Sequence, residues 1–324
     1  MDATIVIPVK NGGARLREVL EMIFRQRTSY QYEVICVDSG STDGSLEVLS
    51  EFPVQLFQIP ASEFGHGKTR NYGAAQGTGK YIVFVTQDAL PVDENWLQSL
   101  VEAMEMDEGI AGGFGQHLPY PDCNIFDKRD LPAHFARFGA ENHIFQIEDR
   151  EAYDRDIGLR LFLSFFSDNN SCLRRNVWEK YPYSDVDYAE DQIWMRKMLE
   201  LGYKKVYVPG AMVYHSHDFP VWEYCKRCFD DLKAHYRIHN GFKIVPDIGK
   251  AVLGFFGTIW RDSQYIRQIS PSWHFRLHWL KQSAGRACGR YLIGYLASQY
   301  YEYPASVQRL LSRFFSQQYK QIRE

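Results

Sequence analysis

The chain opens on an unbroken apolar run, Thr4-Ile5-Val6-Ile7-Pro8, which reads as a strand covered on both faces. Leu16, Val19, Leu20, Ile23 and Phe24 then recur at intervals of three and four, one face of a helix. A second apolar run, Glu33-Val34-Ile35-Cys36-Val37, stops at Asp38. Ser39-Gly40-Ser41-Thr42-Asp43-Gly44 follows as a tight bend, and Asp43 is read there as the cap of a helix through Leu46, Val48 and Leu49. Val54 to Ile59 and Tyr81 to Val85 supply two more strands, and Trp96, Leu97, Leu100, Val101 and Met104 another amphipathic helix. Four strands interspersed with three helices predict an α/β domain around a mostly parallel, Rossmann-like sheet.

Two of these strands end in acid, at Asp38 and Asp88, and their loops are expected at one edge of the sheet. Open α/β sheets bind ligands at the carboxyl ends of their strands, where an aspartate can hold a divalent cation and through it a phosphate. Dinucleotide binding asks for G-x-G-x-x-G after the first strand, but Pro8-Val9-Lys10-Asn11-Gly12-Gly13 offers only a glycine pair, and no Walker A sequence is present. A metal-nucleotide site without a glycine fingerprint remains.

Composition narrows the class further. Hydrophobic residues make up 45% and charged residues 24% of the 324 positions, ordinary globular usage that fits neither disorder nor a fibre. The aromatic share, 15%, is high and suits sugar stacking, an interfacial surface or an aromatic core. Six cysteines (36, 123, 172, 225, 228 and 288) show no paired framework, and Cys225 and Cys228 have zinc-like spacing without a second pair, so a reducing, cytoplasmic setting is expected. Met1-Asp2-Ala3-Thr4 runs straight into a strand without the order of a signal peptide, and the longest apolar segment, Ala251 to Trp260, is too short to span a bilayer.

The motifs in order are Ile7-Pro8-Val9-Lys10-Asn11, Val37-Asp38-Ser39-Gly40-Ser41-Thr42-Asp43-Gly44, Gly65-His66-Gly67-Lys68-Thr69-Arg70-Asn71, Gln87-Asp88-Ala89 and Ala189-Glu190-Asp191. Over roughly residues 1–240 this series resembles the inverting family-2 glycosyltransferases of GT-A fold. The His-Gly-x-x-Arg-Asn loop, the Gln-Asp-Ala strand end and Tyr214-His215-Ser216-His217 are most similar to bacterial rhamnosyltransferases that use dTDP-L-rhamnose. The resemblance implies a nucleotide-sugar-binding half at about 1–115, an acceptor-binding half at about 116–240, and a helical extension over 241–324. Its alternative donor is a UDP-hexose, and a rival class is a non-catalytic sugar-binding scaffold.

Carried over residue by residue, the resemblance sets the donor against Pro8, Val9 and Asn11, with Asp38 and Ser39 at the base and ribose. His66, Lys68 and above all Arg70 are expected on the diphosphate, with Gln87 bonded to the donor or a ligated water. Asp88 is the expected ligand of Mg²⁺ or Mn²⁺, but Thr86-Gln87-Asp88 stands where the family carries Asp-x-Asp, so the ion lacks one carboxylate. His217 is the preferred replacement ligand. Asp191 is the expected general base with Glu190 as second choice, although acids opening a helix also admit a purely electrostatic reading. Asn169, Asn170 and His215 are expected on the acceptor, and asparagines in a turn are equally at home there for the backbone alone.

Charge divides the chain unevenly. From Lys243 to Glu324, 12 Lys and Arg face 4 acids, so a net −3 hides +8 in this region and −11 in the residues before it. Trp222, Cys225, Phe229, Leu232 and Tyr236 form one expected helical face ahead of it. Within the basic region Leu277, Leu280, Ala284, Ala287, Tyr291 and Tyr295 keep helical spacing beside an apolar cluster of Phe255, Phe256, Ile259 and Trp260. This pattern suits a helix resting on anionic lipid at the inner face of the cytoplasmic membrane, where a lipid-linked glycan acceptor is found, or equally helices that pack on the catalytic domain or form a homo-oligomer contact. Nucleic acid is a poor fit, because the cations sit among bulky apolar residues with no recognition motif.

Overall fold

A computed structural model describes residues 1–239 and 241–313, and the chain divides into two compact units, Met1–His217 and a second beginning at Asp218. In the first, β1 (Ala3–Val9), α1 (Gly13–Phe24), β2 (Tyr32–Asp38), α2 (Ser45–Ser50) and β3 (Gln55–Gln58) are followed by α3 (His66–Gln76) and β4 (Tyr81–Val85). A two-residue strand β5 (Leu90–Pro91), α4 (Trp96–Glu105), β6 (Ile110–Leu118), α5 (Ile125–Phe135) and β7 (His143–Phe145) come next. The unit ends with α6 (Arg150–Arg155), α7 (Ile157–Ser164), β8 (Asn170–Arg174), α8 (Arg175–Lys180), α9 (Glu190–Glu200) and β9 (Lys204–Tyr214).

Among the described residues nine strands join one sheet in the order β3-β2-β1-β4-β8-β6-β9-β5, with β7 on β9. The first four are parallel, as expected, and β8 then runs antiparallel to both β4 and β6. Alternate residues feed two cores: Ile5, Ile7, Val83 and Val85 face α1 and α4, while Val6, Ile82 and Phe84 face Trp194 and Met195. That is why the runs are continuously apolar rather than alternating.

Strand β6 escapes the apolar pattern because Gly112, Gly113 and Gly115 dilute it. Each glycine admits a close neighbour: a Cβ on Gly115 would collide with the Ala211 carbonyl and the Asn170 amide. Lys205 on β9 is fully buried among Phe114, Phe138 and Phe145, and its Nζ donates to the Phe162 (3.2 Å) and Phe165 (2.8 Å) carbonyls at the end of α7. It caps orphan carbonyls that the helix cannot satisfy itself.

The second unit holds α10 (Val221–Ile238), α11 (Ile248–Ile269), α12 (Trp273–Ala287), a π-helical turn Cys288–Ile293, α13 (Gly294–Ala297) and α14 (Ala305–Leu311). The expected boundary at 240 therefore moves to 217/218, because α10 packs with these helices. Val221 seats on Gly285, Cys225 on Gly289 and Leu232 on Gly294. On the expected face of α10, Cys225 and Phe229 are buried, but Trp222 is exposed. All six cysteines are free, and among the described residues no helix is long and apolar enough to cross a membrane. Lys320, Arg323 and Glu324 of the basic region lie outside the described residues.

Candidate active site

Register gathers the functional groups at one edge. Val9 pairs with Asp38 and Val85 with Asn170, so the loops after β1, β2 and β4 and the residues before β8 share the carboxyl edge of the parallel strands. Leu90 pairs with Tyr214, which brings the end of β9 beside Asp88. The strand order reverses between β1 and β4, the kind of switch point where open α/β sheets bind ligands.

Several expected donor contacts turn out to build this edge. Gln87 clamps two strand exits: its Oε1 accepts from Lys10 N (2.7 Å) and its Nε2 donates to Lys10 O (2.9 Å). Both ends of its amide are thus engaged by backbone, which corrects its expected place on the donor or a water. Asp38 is fully buried and accepts from Gly40 N (2.9 Å) and Ser41 N (3.2 Å). The buried Ser39 hydroxyl donates to Val9 O (3.1 Å), so neither side chain is turned outward toward a base or ribose. Asn11, at φ 52°, accepts from Thr42 N (2.8 Å), Pro8 is half-buried and Val9 buried. Lys10, exposed, donates through Nζ to the carbonyls of Ser39 and Gly40 and is the outward cation of this loop. The cap position of α2 falls to Gly44 at φ 88°, while Asp43 accepts from Ser45 N (3.1 Å), the Ser45 hydroxyl (2.6 Å) and Gly13 N (3.0 Å).

Asp88 meets two imidazoles, not one. Its Oδ1 lies 3.7 Å from His215 Nε2 and its Oδ2 3.8 Å from His217 Nδ1. One ligand atom from each of the three falls within 4.8 Å of the others. Two atoms bound to a shared ion at roughly 2.1–2.3 Å stand about 3–4 Å apart, so this set can hold a divalent cation. His215, expected on the acceptor, belongs here beside His217, because alternate residues of an extended segment share a side. Ser216 points away and accepts from Tyr120 N (3.0 Å), and the Tyr120 hydroxyl donates to Asp88 O (3.0 Å). Behind them His117 is buried with its ring 5.5 Å from that of His215, and its Nε2 has no hydrogen-bond partner among the described residues. Burial, then the neighbouring imidazoles, holds its pKa well below the ordinary histidine value.

The second cluster surrounds the start of α9. Ala189 takes the left-handed conformation at φ 55°, which aims Glu190 and Asp191 inward. Glu190 Oε1 pairs with Arg70 Nη1 (2.8 Å), and Arg70 Nε lies 3.5 Å from Asp168 Oδ2. Tyr183 and Ser171 both donate to Asp168 Oδ1 (2.8 Å each), and the Asp168 amide donates to Asp191 Oδ2 (3.2 Å). Gln192 N donates to Asp191 Oδ1 (2.7 Å).

Two carboxyl groups, those of Glu190 and Asp168, thus pair with one guanidinium, and a third, that of Asp191, lies beside them. Burial pushes the Glu190 carboxyl up to about 7, with Arg70 opposing and Asp168 adding to the rise. Asp191 is raised well above the usual carboxylate range by burial, then by the charges of Asp168 and Glu190. Glu190 is spent on Arg70, whereas among the described residues the half-buried Asp191 accepts only from backbone amides, which leaves it lone pairs to spare.

Arg70 is correspondingly corrected. It is 5% exposed and committed to two carboxylates, so it is not placed for a diphosphate. Arg70→Met is expected to cost about 3 kcal/mol of stability, because it leaves buried carboxylates unpaired. A urea midpoint equal to that of the parent would show that the pair contributes nothing. His66 and Lys68 stay near the surface, His66 edge-on to Phe64 and Lys68 exposed.

Asn170 is also corrected: fully buried, it accepts from Trp96 Nε1 (2.8 Å) and donates to Ala211 O (2.7 Å), bracing β8 against β9 rather than meeting an acceptor. Asn169 is half-buried at the sheet edge. Sequence reasoning missed Asp168 and His117 as site residues. The signal for Asp168 was its place just ahead of a strand pairing with β4.

A family model described as Glycosyl transferase family 2 matches residues 4–162. The O-antigen chain rhamnosyltransferase RfbN of Salmonella typhimurium is 31% identical over 278 residues, 84% of each chain. The O-antigen chain rhamnosyltransferase WbaN of Salmonella anatum is 29% identical over 83% of this chain and 82% of its own. Among solved structures, a mannosyltransferase from Pyrobaculum calidifontis, in complex with GDP-Man and Mn²⁺, superposes with a TM-score of 0.57 at 14% identity, covering 93% of this chain and 88% of that one. TarS 1-349 of S. aureus gives a TM-score of 0.53 at 14% identity over 92% of both chains. The last two show likeness of fold alone; the rhamnosyltransferase match at 31% identity over 84% of the chain, with the family model over residues 4–162, places the chain in glycosyl transferase family 2 as a glycosyltransferase.

Proposed function

We propose that this protein is an inverting rhamnosyltransferase that moves L-rhamnose from dTDP-L-rhamnose to a lipid-linked glycan acceptor in bacterial cell-surface polysaccharide synthesis of the O-antigen kind. Similarity to two O-antigen chain rhamnosyltransferases over more than four-fifths of the chain supports the sugar and the pathway class. The observation that carries the chemistry is the open carboxyl of Asp191 at the same sheet edge as the Asp88, His215 and His217 cation set.

In this reading Asp191 takes the proton of the acceptor hydroxyl as that oxygen attacks the anomeric carbon. The bond from that carbon to the donor phosphate breaks on the opposite face, and configuration inverts. Asp88, His215 and His217 would hold Mg²⁺ or Mn²⁺, and a mixed carboxylate and imidazole set favours the softer Mn²⁺. When bound, such an ion offsets the negative charge that develops on the leaving diphosphate. Asp168 fixes Asp191 through its backbone amide, and Arg70 holds Glu190 aside.

A panel of dTDP-L-rhamnose, UDP-hexoses and GDP-mannose, each with and without Mn²⁺, tests this reading by donor turnover and product analysis. Metal-dependent turnover confined to dTDP-L-rhamnose is expected. Turnover of a UDP-hexose in its place moves the donor, and absence of any turnover with all donors favours a sugar-binding scaffold.

A further inference from the structure

Helix α11 divides into two opposite faces. Ala251, Thr258, Asp262 and Ile266 are buried, and Asp262 accepts from the Ser283 hydroxyl of α12 at 2.7 Å. Gly254 admits the ring of Tyr291, which seats the helix closely on its neighbours. The other face is apolar yet open: Leu253, Phe256 and Trp260 are 74%, 64% and 69% exposed. At 100° per residue these three fall within about 60° of one another and opposite the buried set. On α12, Trp273 is 64% and Leu277 46% exposed. Large apolar side chains gathered this way on a surface mark a place of contact.

Charge decides what makes the contact. Residues 248–287 carry six Lys and Arg and one acid, Asp262, which is 3% exposed. Lys250 and Arg261 flank the apolar stripe on α11, and Arg267 continues it. An exposed surface of apolar and cationic side chains, with its single acid buried, matches an interface of acyl chains and anionic headgroups. A second copy of the chain meeting this stripe across a two-fold axis would set cation against cation. Tryptophan at 260 and 273 suits the headgroup level, and the helix is too polar to span.

We infer that the α11 stripe, with Trp273 and Leu277 of α12, is a docking surface for an anionic lipid bilayer, on which α11 lies in the plane of the interface. This rests on the lipid-linked acceptor of the proposed function, and vesicle binding is read without any sugar transfer, so each can fail separately.

The test is co-sedimentation of the full chain with vesicles of phosphatidylcholine alone or containing one third phosphatidylglycerol. The parent is expected to pellet with the anionic vesicles and to be released by high salt. Phe256→Glu/Trp260→Glu is expected to lower binding about tenfold or more, and Lys250→Glu/Arg267→Glu to remove the preference for anionic lipid. All four positions are exposed or at the surface, so equal melting temperatures and equal turnover of a water-soluble acceptor should accompany the loss. Equal binding to both vesicle types, no pelleting of the parent, or unaltered binding of the Phe256/Trp260 variant would overturn the inference. A parent dimer in light scattering that the Phe256/Trp260 variant abolishes, with no vesicle binding, would assign the stripe to a second copy of the chain.

Discussion

Asp191→Asn is expected to lower kcat by about a thousandfold with donor affinity unchanged, since removing a general base typically costs 10² to 10⁴ in rate. The amide preserves shape but cannot take the acceptor proton. Glu190→Gln should cost much less in turnover, because Glu190 is engaged with Arg70 rather than open to substrate. The pH profile supplies a second readout. Burial first, then the Asp168 and Glu190 charges, raises the Asp191 pKa, so its active, deprotonated form is lost as pH falls through a limb above the ordinary carboxylate range of about 4. Asp168→Asn removes one of those charges and should move the limb to lower pH. Because the three carboxyls share one environment, the limb belongs to the cluster and not to one residue. Appreciable transfer by Asp191→Asn, or a limb near 4 in the parent, would remove Asp191 from the role of base.

His215→Ala/His217→Ala should reduce Mn²⁺ affinity by at least about a hundredfold, read directly by titration calorimetry or by the spin resonance of free Mn²⁺. The variant leaves Asp88 as the single carboxylate of the set, and one half-buried carboxylate without further ligands binds such an ion poorly. Each single variant should weaken binding to a similar degree, since the two imidazoles stand 3.7 and 3.8 Å from Asp88. His215→Ala with parental Mn²⁺ binding would return that side chain to the acceptor. Double-variant binding equal to the parent would show that the ion sits elsewhere. Because the readout is metal binding and not activity, it stays informative whatever the donor proves to be.

Much of the frame was legible in the chain. Thr4 to Pro8, Glu33 to Val37 and Tyr81 to Val85 are apolar without alternation because α-helices cover both faces of a parallel sheet. The acids that end β2 and β4 follow from the same pattern, as does the shared side of His215 and His217. Strand β6 was not legible, since its glycines record the closeness of Ala211 and Asn170 and not a strand propensity.

Side-chain roles separated more sharply. A cation between glycines ahead of a helix reads as an anion ligand, yet Arg70 spends its charge on Glu190, 120 residues away. Gln87 reads as a polar group for substrate, yet Lys10, 77 residues back, takes both ends of its amide. Asn170 reads as a turn residue and is fully buried between strands. By itself the sequence determined the parallel sheet, the acids at its carboxyl edge and the basic, aromatic character of the C-terminal helices. Only the tertiary structure decided that His215 joins His217 on Asp88, that Asp168 and Arg70 gather beside Asp191 and Glu190, and that Leu253, Phe256 and Trp260 face outward. The physical reason is that periodicity and turn chemistry act between near neighbours along the chain. Whether a charge is spent on a partner or left for a ligand depends on which distant groups the folded sheet brings within about 4 Å.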